Sequence, residues 1–308
     1  MSSGGAVRGA ALSDDADHGA VSYHGQPVLK EPVWGWEIPC YMFTGGLAGA
    51  SAGLAYLAGV RGSNTLAQRA WLTSLAAIAA SPPLLIADLG RPGRFFNMLR
   101  LFKVTSPMSV GSWILSISGA SVGVAALHAA TGRFGRAAAV ARPAAAAAGL
   151  GLSTYTAALL SNTAVPAWHE ARGTLPFVFG AGAAVSAGGA CAAATPVDCA
   201  AGARRLALGA AAAELAATAV MERRLKLHGE VYRRGKASRY SWVSRACLVA
   251  GAGLLGARGA RSRPAAVAGG ALVAAGALAT RWSVFEAGTQ SAADPRYVVE
   301  PQRRRLDG

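Results

Sequence analysis

A carboxyl and a phenol open the chemistry available to this sequence. Glu37 and Tyr41 stand four residues apart in Trp34-Gly35-Trp36-Glu37-Ile38-Pro39-Cys40-Tyr41, a spacing that places both on one face of a helix. Just inside a membrane, such a pair could hold the polar head of a lipid-like molecule while its tail lies in the bilayer. A quinone has that shape, with carbonyls at one end and an isoprenoid tail at the other. The blander account is a carboxylate stabilised by a helix N-terminus between tryptophans that anchor at the membrane interface. Asp88 and Arg91, in Asp88-Leu89-Gly90-Arg91-Pro92, can pair across a turn where Gly90 and Pro92 stop a helix. Ser109, in Ser106-Pro107-Met108-Ser109, reads as a helix N-cap. Tyr155 shares a helix face with Asn162. Glu214 sits alone in Ala-Ala-Ala-Glu-Leu-Ala-Ala. An ionisable group inside an apolar span is a functional candidate by default, here a proton-pathway carboxyl, and the alternative is a protonated carboxyl hydrogen-bonded to a neighbouring helix.

Other chemistry is poorly provided for. The five histidines are His18, His24, His128, His169 and His228, and none falls mid-span, where a transmembrane haem needs its ligands. Cys40, Cys191, Cys199 and Cys247 are far apart, whereas an iron–sulfur cluster needs grouped thiolates. No zinc motif, phosphate-binding loop or dinucleotide fingerprint occurs. The expectation is a chain without a haem, cluster or metal site of its own, and with no catalytic residue acting alone.

The elements that must position these residues follow from composition. Of 308 residues, 53% are hydrophobic and only 15% charged, with Lys+Arg 30 against Asp+Glu 15 and a net charge of +15. That charge density is too low to coat a soluble enzyme of this size and the hydrophobicity too high for a disordered chain. The basic residues fall between apolar runs instead of forming a stripe, which points to membrane topology and away from nucleic acid. A bilayer core of about 30 Å takes about 20 helical residues. Eight stretches meet that length: 37–60, 70–89, 111–130, 141–160, 175–194, 204–222, 241–257 and 264–284. The last three are the most Ala/Gly-rich, and small residues favour close helix packing. The expectation is an all-α polytopic membrane protein of about eight spans, with a polar N-terminal tail (1–30), a membrane domain (31–285) and a basic C-terminal tail (286–308). The N-terminal stretch carries no apolar run, so the first span should direct insertion. Nineteen Lys and Arg, Arg281 included, fall on the side of the termini and ten on the other, favouring cytoplasmic termini. The long connection after the second span and the stretch before the first both lie on that side, where function is expected.

At these residues the chain resembles the NrfD / polysulfide reductase membrane-subunit family. The likeness is carried by Glu31-Pro32-Val33-Trp34-Gly35-Trp36-Glu37-Ile38-Pro39, by Tyr41-Met42-Phe43-Thr44-Gly45-Gly46, by Asp88-Leu89-Gly90-Arg91-Pro92, by Ser106-Pro107-Met108-Ser109 with Gly111 and Trp113, and by the stretch from Tyr155 to Phe177. The resemblance implies eight helices in two four-helix bundles without a bound cofactor, in a bacterial cytoplasmic membrane. It implies partners, namely an iron–sulfur subunit docked over the motif-bearing face and a molybdopterin catalytic subunit beyond it. It implies a quinone (menaquinone or ubiquinone) as substrate, contacted by Glu37, with Tyr41 beside it, and by Tyr155, with Ser109 nearby and Asp88 and Arg91 shaping the pocket or docking loop. A histidine that some relatives carry near the first span is absent here, where Glu37 and Cys40 stand. Two other readings remain open. One is a proton-coupled secondary transporter built on Glu214, with the Pro82-Pro83 pair as a helix break. The other is a purely structural anchor.

Overall fold

The computed structural model describes residues 29–30, 32–89, 93–100 and 102–306. Arg91 and nearly all of the polar N-terminal tail lie outside them. Within the described residues every regular element is helical. In chain order they are α1 (Glu37–Val60), α2 (Asn64–Asp88), α3 (Arg94–Arg100), α4 (Pro107–Thr131), α5 (Gly135–Ser161), α6 (Pro166–Glu170), α7 (Leu175–Ala194), α8 (Ala201–Arg224), α9 (Gly235–Ala257), α10 (Arg263–Ala293) and α11 (Arg296–Leu306). A 3-10 segment, Lys226–Arg233, joins α8 to α9.

Each of the eight expected stretches is a helix, and two of them, α1 and α7, begin and end at the expected residues. Six helices are long and apolar enough to cross a membrane: α1, α2, α4, α5, α7 and α10. The remaining two, α8 and α9, have 24 and 23 residues, long enough for a bilayer at 1.5 Å per residue, but they are not among these six.

Helices α1, α2, α4 and α5 pack on one another, α7 to α10 do likewise, and α1 against α7 joins the two groups. Small residues set the spacing. At Gly49 and Gly149 the backbones of α1 and α5 come so close that a Cβ on either would overlap the other's carbonyl, and Gly189 of α7 meets Gly270 of α10 in the same way. Without a hydrophobic drive between helices in lipid, such backbone contact is a main source of association. Polar side chains satisfy themselves along these seams: the Ser74 hydroxyl donates to the Ala48 carbonyl at 2.7 Å.

Helix α2 continues through Pro82 and Pro83. Beside them the Ser81 hydroxyl oxygen lies 2.9 Å from Thr44 Oγ1 of α1 and 3.0 Å from the Ala77 carbonyl, which fastens α2 to α1 next to the turn where the two prolines remove amide donors.

The starts of α1, α4, α7 and α9 and the ends of α2, α5, α8 and α10 share one face with α6 and α11. The opposite face has short connections at 61–63, 132–134, 195–200 and 258–262. Helices α2, α4, α5 and α9 start several residues before the expected stretches, and α10 differs in two ways. Arg281, counted with the terminal-side charges, is 2% exposed inside α10. That helix runs on to Ala293, because Ser283, Gly288 and Ser291 are small enough to pack inside.

Candidate functional site

The segment before α1 is tied down at two points on the terminal face. Trp34 stacks on Trp168 of α6, with ring centroids 5.5 Å apart and planes 23° off parallel. Trp168 is fully buried, its indole N–H donates 2.7 Å to the Val284 carbonyl of α10, and its ring fills the space over Gly288, where a Cβ would overlap it. The Gly35 amide donates to Asp88 Oδ1 at the end of α2, at 3.1 Å. Trp36, by contrast, is exposed, the placement of an interface anchor.

Glu37 is half-buried at the first turn of α1, where the helix dipole favours a carboxylate. It lies close enough to Asp88 for the two carboxyl groups to interact electrostatically. Two acids, the Gly35 amide and the Trp34–Trp168 stack therefore gather at the mouth of the α1–α2 seam. Asp88 accepts a hydrogen bond from a backbone amide, that of Gly35, and its expected partner Arg91 lies outside the described residues.

One turn deeper, the Tyr41 and Tyr155 hydroxyls are hydrogen-bonded to each other across α1 and α5. Tyr41 is 1% exposed, whereas Tyr155 is half-buried. Gly111 of α4 makes room for the Tyr155 ring, since a Cβ there would overlap it. Two of the expected quinone contacts, 114 residues apart, are thus brought into direct contact, with Glu37 one helical turn above Tyr41.

Ser109 is at the start of α4, but it is not the N-cap. Ser106 is, its side chain accepting from the Ser109 amide at 3.4 Å with Pro107 in the first turn. Pro is favoured at that position, so the Ser-Pro pair was the better signal. The Ser109 hydroxyl instead accepts the Lys103 amide at 3.0 Å, which fastens the connection from α3 onto α4.

Glu214 lies elsewhere, fully buried in α8. Across from it in α10 is Arg281, whose Nη2 donates 2.7 Å to the Phe179 carbonyl of α7 and whose guanidinium carbon sits 3.9 Å from the centre of the Phe179 ring. Gly182 of α7 lies between them: a Cβ there would be 2.8 Å from Glu214 Oε1 and 3.1 Å from Arg281 Nη2. Among the described residues both Glu214 oxygens, with Nε and Nη1 of Arg281, find no hydrogen-bond partner. Beside them Ser244 of α9 and Thr280 of α10 are hydroxyl to hydroxyl at 2.7 Å. Sequence reasoning flagged Glu214 and overlooked Arg281, although the same rule for charges inside spans applied to it.

Between Glu214 and the terminal face stand Thr218, Ser241 and Tyr232, around a narrow crevice. Tyr232, on the 3-10 segment, is buried, and its hydroxyl has no hydrogen-bond partner among the described residues; burial, with Glu222 nearby, pushes its phenol well above the ordinary range. Glu222 pairs with Arg245 at the outer end.

A cavity of about 1050 Å³ opens at the other end of α1, away from the tyrosine pair. Among the described residues no three His, Cys, Asp or Glu side chains gather where a metal ion could be held.

No curated protein matches the chain significantly. The family model described as "Polysulphide reductase, NrfD" matches residues 21–200, which takes in the segment before α1, the Asp88 turn, the start of α4 and both tyrosines. By that match, over more than half its length, this chain belongs to the NrfD polysulphide reductase membrane-subunit family.

Proposed function

We propose that the chain is the quinone- or quinol-reactive membrane anchor of a respiratory oxidoreductase, exchanging electrons with an iron–sulfur subunit that connects it to a molybdopterin catalytic subunit. The observation that carries this reading is the Tyr41–Tyr155 contact beneath the Glu37–Asp88 mouth. Tyr155 is the less buried of the two residues, so on this reading its hydroxyl donates to a quinone carbonyl, while buried Tyr41 fixes its direction. Glu37, one turn nearer the surface, is placed to exchange protons with the aqueous side. Reduction of a quinone to a quinol takes two electrons and two protons, and acid groups within hydrogen-bond reach of the reacting oxygen are the equipment for the proton half. Electrons come from the partner, docked over the face where Trp34, α6 and the α3 connection lie.

On this reading α8 and α9 also cross the bilayer, giving eight spans in two four-helix bundles in a bacterial cytoplasmic membrane with cytoplasmic termini. Their charges support it: Glu214 turns inward, and Arg223, Arg224, Arg233 and Arg234 collect at the terminal end. Glu214, with Arg281 opposite, is the candidate proton-exchanging carboxyl of the second bundle. A secondary transporter would want interrupted helices around its midplane site, yet α8 and α10 run unbroken past Glu214 and Arg281.

The test is to purify the chain with its neighbours and titrate a menaquinone-site inhibitor. Saturable binding, weakened by Glu37→Gln and by Tyr155→Phe, is the expected result. Absence of binding, or binding indifferent to both substitutions, leaves a structural anchor instead.

A further inference from the structure

The cavity on the face opposite the tyrosine pair has the make-up of a lipid site. Its floor is a strip of α1 running from Gly49 through Gly53 and Leu57 to Arg61, about 18 Å along the axis at 1.5 Å per residue. That is the length of an extended acyl chain rather than of a compact metabolite. Gly180 and Ala184 of α7 and Leu150 of α5 form the walls. Nothing lies within 4 Å of a Cβ built on Gly53, and Leu150 is 72% exposed, so the groove is open and apolar at its side.

Its mouth is basic. Arg61, which caps α1, and Arg205, in the second turn of α8, both line it and are both exposed. Neither is ion-paired with a described carboxylate. Asp198 shares the rim, leaving the mouth a net single positive charge. The first turns of α2 and α8 also line it; neither holds an acidic residue or a side-chain cap, so free backbone donors add to the attraction for an anion.

We propose that this cavity holds one anionic glycerophospholipid, with its phosphate between Arg61 and Arg205 and one acyl chain along the Gly49–Arg61 strip. An apolar groove of one chain's length under a cationic rim matches an anionic lipid in both halves, and a free phosphate or a neutral quinone in one only. The site is independent of the tyrosine pair.

The test uses the purified full-length protein with any bound partners, exchanged into bilayer discs of one part phosphatidylglycerol to three parts phosphatidylethanolamine, then stripped with detergent and weighed by native mass spectrometry. One phosphatidylglycerol should stay bound per chain, and millimolar inorganic phosphate should not displace it. Arg61→Gln with Arg205→Gln, on exposed side chains that leave the core intact, should lower retention about tenfold or more, given the worth of each cation at a membrane surface. Gly53→Leu, which fills open space and keeps both arginines, should lower it as well. Retained lipid that mirrors the disc composition, displacement by phosphate, a quinone in place of the phospholipid, or retention unchanged by either variant would overturn the proposal.

Discussion

The hydroxyl contact between Tyr41 and Tyr155 can be tested through its asymmetry. Tyr155→Phe strands the Tyr41 hydroxyl, which is 1% exposed and has no route to water. An unpaired buried donor costs about 1–3 kcal/mol. Tyr41→Phe leaves its hydroxyl on the less buried residue of the pair, Tyr155, so the loss is nearer that of an ordinary hydrogen bond, about 0.5–1.5 kcal/mol. The double substitution removes both polar groups and keeps both rings, which is close to neutral. Taking the lower end of each range, the coupling energy is about 1.5 kcal/mol, near the top of the range found between membrane helices, where the mean is about 0.6 and the largest about 1.7. For a chain of this size that corresponds to a shift of about 3 °C in Tm. Thermal unfolding of the four proteins in detergent, followed by tryptophan fluorescence, reads the cycle. Three features are expected together: Tyr155→Phe is the more harmful single change, Tyr41→Phe the milder, and the double variant recovers most of the loss. Single effects that simply add, within about 0.3 kcal/mol, would refute the contact, and a reversed order of the singles would refute the burial difference behind it.

Gly111→Ala keeps both hydroxyls but drives the Tyr155 ring aside; overpacking of this kind costs about 1–3 kcal/mol, and inhibitor binding by the complex should fall with the unfolding temperature, whereas Gly123→Ala, in open space on the same helix, should leave both unchanged. Glu214→Gln removes the acidic group that faces the buried Arg281 guanidinium across Gly182 and should lower the thermal unfolding temperature. Glu214→Gln with Arg281→Met should recover most of that loss, and a single variant as stable as the parent would contradict an electrostatic link between the two groups. Because the Tyr232 phenol titrates higher when folded than its ordinary value of 10.0, the unfolded chain releases that proton first. The contribution to stability is thus intact below pH 10 and declines as pH rises above it. Tyr232→Phe should therefore flatten the alkaline limb of a stability-against-pH curve, and an unchanged limb would show that another group governs it.

The helices were legible because their ends are marked. Arg61-Gly62 closes α1, and Thr174 with Pro176 opens α7, which is why both matched residue for residue. Where basic residues flank an apolar run the reading stopped short. Helix α5 begins at Gly135 and not at 141, because Arg136 and Arg142 resembled loop, although long basic side chains can reach from a helix end to the interface. Of the site, the Glu37–Tyr41 face followed from helical periodicity. Tyr155 was within reach only through family resemblance, because a contact across 114 residues has no local signature. Trp168 and Arg281 were missed as structural keys for the same reason: each acts through a backbone carbonyl of a distant helix, Val284 for one and Phe179 for the other.

That last bond has a bearing on how the chain can be divided. The family match ends at residue 200, after α7, and invites treating the first two hundred residues as a portable module. Phe179 and Gly182, however, look across at side chains supplied by α8 and α10. A fragment cut at that boundary would present to lipid a face shaped around a guanidinium it no longer possesses, so grafts or split versions of this subunit should keep α7 with the helices that follow it.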